Sequence, residues 1–243
     1  MQPATGAPFP KTDVSVVQGA SSGDEALRAR AAEEISRLYW PPVYTCLRLQ
    51  WRLDVDDACD ATQEFFSRAL TRDLFARYDP SKARFRTWVR LCLDGFMANE
   101  LKASRREKRG GGRSHLPLDE AEALVERYSH EHATTEDLFD REWLRALIAN
   151  ALEGLRAQCV AAGKEVQFAM LHFCDVESAD ADSRPTYSAL AERFDVPVTQ
   201  VTNYLAWARR QFRQHALEAL RVHSGSAQEF RDDARRYFGI DVP

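Results

Sequence analysis

No two cysteines in this chain stand at C-x-x-C spacing, and the five present (Cys46, Cys59, Cys92, Cys159 and Cys174) are odd in number. That argues against a disulfide framework and against a zinc site. Several of the five have apolar helical neighbours, so buried free thiols are expected, as suits a reducing cytosol. The opening MQPATGAPFP lacks a basic-then-apolar pattern, so no secretory leader is expected. No apolar run reaches membrane-spanning length, which leaves no membrane partner to expect. The histidines form no H-E-x-x-H, and neither a P-loop nor G-x-S-x-G occurs. An enzyme is therefore the weakest class, with no catalytic residue, metal or cofactor expected. Excess positive charge is also missing. The net charge of -4 argues against a protein that holds duplex DNA by charge alone.

What is present is a 243-residue chain, 44% hydrophobic, long enough for one domain or two. Residues 1–24 are rich in Pro, Gly, Ser, Ala and Thr and read as a disordered tail, with Val14, Val16 and Val17 as a minor candidate docking strand. Leu27, Ala31, Ile35 and Leu38 recur at helical spacing over 25–39. Pro41-Pro42 is expected to break that helix, with a second helix over 43–51. Asp54, Asp56 and Asp57 supply a cap and first-turn acids to the next helix. There Ala61, Phe65 and Ala69 make an apolar stripe. Asp60, Gln63, Glu64, Ser67 and Arg68 make the polar face, which by spacing alone reads as a solvated surface.

Residues 75–84 read as a loop with a turn at Asp79-Pro80. Phe85, Trp88, Val89, Cys92, Phe96 and Leu101 then mark a long helix with a broad apolar stripe. Arg84, Arg86 and Arg90 sit near its start. Lys102, Arg105, Arg106, Lys108, Arg109 and Arg113 crowd its far end, more cations than a helix dipole calls for. Such cations, beside aromatic and amide side chains, suit a phosphate backbone and an unstacked base. Gly110-Gly111-Gly112 opens a flexible acidic linker over 110–137. Residues 138–162 and 165–174 carry further amphipathic helices.

Tyr187, Leu190, Ala191 and Phe194 line one short helix, Asp195-Val196-Pro197 turns the chain, and Val201, Leu205, Ala208 and Phe212 line the next. This pattern describes a helix-turn-helix. The N-terminal residues of a second helix reach bases, and Gln, Asn and Thr have suitable groups. Thr199, Gln200, Asn203 and Tyr204 are the expected base contacts, with Arg209 and Arg210 on phosphates. Trp207 on that stripe is expected to pack on a neighbouring element. Over 223–243, Phe230, Ala234, Tyr237 and Phe238 form a small apolar face on a short helix that docks on the body or on a partner.

These motifs resemble bacterial RNA polymerase sigma factors of the extracytoplasmic-function (ECF) class, within the sigma-70 family. DATQEFFSRAL (60–70) is similar to the family's polymerase-clamp-binding helix. FRTWVRLCLDGFMANELKASRR (85–106) is similar to its minus-ten helix, and TYSALAERFDVPVTQVTNYLAWARRQFR (186–213) to its minus-thirty-five reader. YWPPVY at 39–44 and the glycine triplet look like a subgroup of the class. The resemblance covers most of 35–220. It implies an all-α fold of two small helical domains, a sigma region 2-like bundle (25–109) and a region 4-like helix-turn-helix domain (138–222). The linker at 110–137 joins them, and an extension follows at 223–243. It implies core polymerase, through its beta' clamp and beta flap, and promoter DNA as partners, in the cytoplasm, with an anti-sigma or other regulatory protein as a further candidate. Asp60, Gln63, Glu64, Phe65 and Arg68 would meet the polymerase. Arg84, Arg86, Trp88, Arg90, Asn99, Lys102, Arg105 and Arg106 would serve the minus-ten element. The chain departs from the common pattern at Asp94-Gly95, where many relatives carry a basic residue and Asn. Two other readings stand beside this one. They are a helix-turn-helix regulator that binds an operator unaided, and a polymerase-binding protein that does not support initiation.

Overall fold

A computed structural model describes residues 16–107, 133–178 and 185–242, with side chains described at all of these except 103–107 and 133–136. The first part of the tail, the glycine triplet, most of the acidic linker and the loop carrying Asp180 and Asp182 lie outside the described residues. Those residues are all-helical, with no strand among them. The chain divides into two compact units. One comprises residues up to Trp143 together with Arg221–Pro243, and the other is Leu144–Leu220. The segment at 223–243 groups with the first unit, and the second unit begins at Leu144.

In the first unit, α1 (Val16–Gly19) packs on α2 (Glu25–Leu49). Val17 is buried, and a Cβ on Gly19 would lie 3.3 Å from the Ala31 Cβ. Val16–Gly19, within the expected disordered tail, are therefore helical, and so is the candidate strand at Val16 and Val17, while Val14 lies outside the described residues. Asp24 caps α2, its carboxylate accepting from the Ala26 and Leu27 amides. The helix runs through Pro41 and Pro42, where a break was expected. Each proline removes a donor, at a cost of ~3 kcal/mol or more in a helix interior. Burial opposes that cost: Leu38, Tyr39, Val43, Cys46 and Leu47 on either side of the prolines are all at most 1% exposed. Tertiary packing overrides local propensity here.

Helix α3 (Val55–Thr71) begins at Asp54, whose carboxylate accepts from the Asp57 amide at 2.8 Å. Its core side carries Ala58, Phe65, Phe66 and Ala69. A 3₁₀ turn (Leu74–Arg77) leads to α4 (Phe85–Glu107), which buries Phe85, Val89, Leu93 and Met97. Phe85 is the centre of an aromatic cluster, 5.5 Å from the Tyr39 ring and 5.0 Å from the Tyr78 ring, both edge-on. Phe139 and Trp143, early in α5 (Ala133–Ala161), are buried in the same unit.

The second unit contains the rest of α5, with α6 (Glu165–His172), a π-helical turn (Phe173–Glu177), α7 (Tyr187–Phe194) and most of α8 (Val198–Val222). Thr186 caps α7 through the Ala189 amide. Asp195 ends it in the left-handed region (φ 49°), and the Val196 amide reaches back to the Ala191 carbonyl at 3.0 Å. Leu155, Cys159, Met170, Cys174, Leu190, Val201, Leu205 and Ala208 form one core. The last helix, α9 (Ala227–Phe238), belongs to the first unit. It starts at the Ser226 cap and stops at Gly239 (φ 63°).

Candidate nucleic-acid interface

The amino end of α8 is built in two layers. Val201, Leu205 and Ala208 are fully buried and fix the helix on the core of the second unit. Thr199, Gln200 and Asn203 are exposed on its first two turns. Thr199 and Asn203 are four residues apart and Gln200 and Asn203 three, so the three polar groups share one face. Tyr204 is only half-exposed and packs against the core. Arg210 is exposed. Arg209 is exposed too, but its guanidinium donates to both Asp175 oxygens at 2.7 and 2.8 Å. Trp207 packs on the core, with the Lys164 ammonium 4.2 Å above its ring.

On α3, Asp60, Gln63 and Glu64 are exposed along one side. Phe65, assigned by resemblance to the same polymerase-facing set, is 2% exposed and packs edge-on against Phe66 and Phe96. It is a core residue because its position falls on the apolar stripe. Arg68 lies between the two groups. It donates to Glu64 at 2.5 Å and to Glu100 at 2.6 Å while covering the Phe96 ring. That tie joins α3 to α4.

The start of α4 differs from the expectation of exposed cations. Arg86 is 1% exposed. Its guanidinium donates to Asp233 at 2.5 and 3.0 Å, to Asp140 at 3.0 Å and to the Tyr237 hydroxyl at 3.3 Å, and it stacks 4.8 Å from the Trp143 ring. Glu229 stands 3.6 Å away. Arg90 is likewise buried, 3.2 Å from Asp94. These two arginines do not offer themselves to a phosphate backbone. Both lie on the side of α4 that packs inward, and acids neutralise them there. Arg84 is half-exposed and reaches Asp233 at 3.2 Å. Trp88 and Asn99 are half-buried, and Lys102 is exposed. The side chains of Arg105 and Arg106 lie outside the described residues. Asp94 does not confront DNA as an unpaired acid; it is the counter-charge of Arg90.

Asp140, Glu229 and Asp233 were not singled out by sequence reasoning, and Tyr237 was read only as part of an apolar face. Glu229, Asp233 and Tyr237 recur at i, i+4 and i+8, a polar stripe on the same helix as the apolar residues that drew notice. Burial raises the Glu229 carboxyl above the usual carboxylate range, and Gly225 donates its amide to that carboxylate at 2.8 Å. Burial also raises the Tyr237 hydroxyl. His223, where α9's connection begins, is pushed down to about 4 by burial, with Arg37 adding to the shift. Of the cysteines, Cys59 is exposed and the other four are buried free thiols. Among the described residues no group of three or more His, Cys, Asp or Glu side chains converges as a metal-ligand set, and no helix is long and apolar enough to cross a membrane.

Compared with protein-family models, with curated proteins and with solved structures, the chain matches none.

Proposed function

We propose that the chain is an ECF-type sigma factor, which binds core RNA polymerase and directs it to promoters in the cytoplasm. The observation that carries this reading is the amino end of α8, where Thr199, Gln200 and Asn203 stand exposed over a buried Val201-Leu205-Ala208 base. A turn with a left-handed Asp195 precedes it, as a helix-turn-helix requires. Those three residues would read the minus-thirty-five element, with Arg210 on phosphate. The Asp60-Gln63-Glu64 side of α3 would meet the polymerase clamp. The minus-ten element would fall to the accessible part of α4, chiefly Asn99 and Lys102, with Arg84 at its start. No residue has a catalytic role in this reading, and no cofactor is needed.

The test is abortive initiation by purified core polymerase plus this protein on a library of promoter fragments. Initiation from a defined subset is the expected result. Asn203→Ala should then lower initiation by roughly 5- to 150-fold, the value of one base contact of about 1–3 kcal/mol. Binding to core without initiation from any fragment would reject this reading. It would favour a second one, a polymerase-binding protein that does not initiate. The burial of Arg86 and Arg90 favours that alternative, because it takes two cations away from the helix that would melt DNA.

A further inference from the structure

The acids of α9 occupy the cations at the start of α4 in the way a phosphate would. One Asp233 oxygen lies 3.2 Å from Arg84 and 3.0 Å from one Arg86 nitrogen, and the other lies 2.5 Å from a second Arg86 nitrogen. Two oxygens on one guanidinium fork, shared with a second arginine, is the pattern by which arginines take a phosphate group. The helix that supplies the carboxylate is held mainly by polar groups. Its buried residues are Glu229, Asp233 and Ala234, whereas its larger apolar side chains, Phe230, Tyr237 and Phe238, are only half-buried. A helix that belongs permanently to a core buries its large apolar side chains instead. The contact of α9 with α4 is mainly ionic, and a competing polyanion acts on such a contact directly. Ser224-Gly225-Ser226 forms a short connection before α9. The cluster is also rich in acid. Glu229, Asp233 and Asp140 face Arg84 and Arg86, so Arg86 keeps Asp140 and the Trp143 ring when Asp233 leaves.

We infer that α9 is a built-in occupant of a phosphate-binding site at the start of α4, and that the backbone of single-stranded DNA displaces it. This deepens the sigma-factor reading and rests on it for the identity of the polyanion. In the free chain the site is closed. Displacement of α9 returns Arg84 and Arg86 to the nucleic acid, so these two arginines serve the minus-ten element only in the open form.

The probe is a fluorescein-labelled single-stranded DNA oligonucleotide titrated into the full chain, followed by anisotropy at several salt concentrations. Asp233→Asn keeps the shape of the side chain and removes its charge. It should tighten binding roughly tenfold at low salt and steepen the salt dependence by about 0.7 per phosphate newly contacted. Unchanged affinity and slope in a folded Asp233→Asn chain would overturn the inference and leave the cluster purely structural. Should that variant not fold, hydrogen exchange of the wild-type chain decides. The α9 amides should exchange faster with excess oligonucleotide than without it, and equal or slower exchange would overturn the inference. Abortive initiation by the wild-type chain tests the sigma reading separately. A chain that initiates but shows no effect of Asp233→Asn loses only the occupant. A chain that does not initiate but gains affinity through Asp233→Asn loses only the sigma reading.

Discussion

Arg86 and Asp233, 147 residues apart, share two hydrogen bonds at 2.5 and 3.0 Å inside the first unit. Both side chains are at most 2% exposed. Removing Arg86 takes the shared cation from Asp233, Asp140 and Glu229, which costs about 3–5 kcal/mol. Arg86→Ala should therefore lower the urea midpoint strongly, and Asp233→Ala should lower it less, because Arg86 keeps Asp140 at 3.0 Å. The double variant should cost less than the sum of the two, because the Arg86–Asp233 contact is lost only once. The comparison is a double-mutant cycle in urea. A defect of Arg86→Ala in DNA binding with unchanged stability would contradict the burial described above.

Gly225 is needed by its neighbour. A Cβ there would lie 2.3 Å from the Tyr78 Oη and 2.6 Å from its Cε1. The ring cannot easily retreat, since its hydroxyl donates to the Ala83 carbonyl at 2.8 Å and it packs T-shaped against the Phe85 ring. Gly225→Ala should destabilise the first unit by about 1–3 kcal/mol, as overpacking does. Adding Tyr78→Ala should make the Gly225→Ala step nearly neutral. Thermal unfolding of the four chains checks this.

What was legible and what was not separates by distance along the chain. The periods of Ala61-Phe65-Ala69 and Phe85-Val89-Cys92 are local, and α3 and α4 stand where those periods place them. The turn at Asp195-Val196-Pro197 was equally readable, because left-handed geometry and proline act within a few residues. Pro41-Pro42 misled for the opposite reason: the burial of Tyr39 and Val43 is set by distant partners, Phe85 and Phe139 among those of Tyr39. Arg86 and Arg90 looked like surface cations because composition does not disclose a counter-charge. Arg90's acid is only four residues away and was open to an i, i+4 search. Arg86's acids, from α5 and α9, were beyond any local pattern. Leu101, placed on the apolar stripe of α4, is 43% exposed, since the stripe outruns the elements that cover it.

Asp94 should tolerate no change of sign. It faces Arg90 at 3.2 Å, with the arginine side chain 5% exposed. Asp94→Asn keeps the volume but leaves a buried guanidinium without its carboxylate, so a loss of about 3 kcal/mol is expected. Asp94→Lys should cost more, because a second cation then faces Arg90. Urea unfolding of both variants ranks them. A Lys variant as stable as wild type would show that Arg90 has another counter-charge of equal strength.

The first unit should also lose stability in mild acid, and His223 supplies the sign. Its native value, about 4, lies below the ordinary 6.5 because burial disfavours the charged ring, with Arg37 adding to the effect. Between those values the unfolded chain binds a proton that the native chain does not. Stability is therefore full above pH 6.5 and falls as pH drops toward 4, by on the order of 3 kcal/mol in all. Glu229 works against this trend. Its native value is raised, so the native chain holds the proton that the unfolded chain has already lost, and its contribution falls as pH rises above the ordinary carboxylate range. His223→Gln removes the first effect and keeps the second. Urea unfolding across pH 4 to 7 should show a falling stability toward acid in the wild-type chain and a flat or opposite trend in His223→Gln. Parallel curves for the two chains would mean that His223 is protonated in the folded state as readily as in the unfolded one.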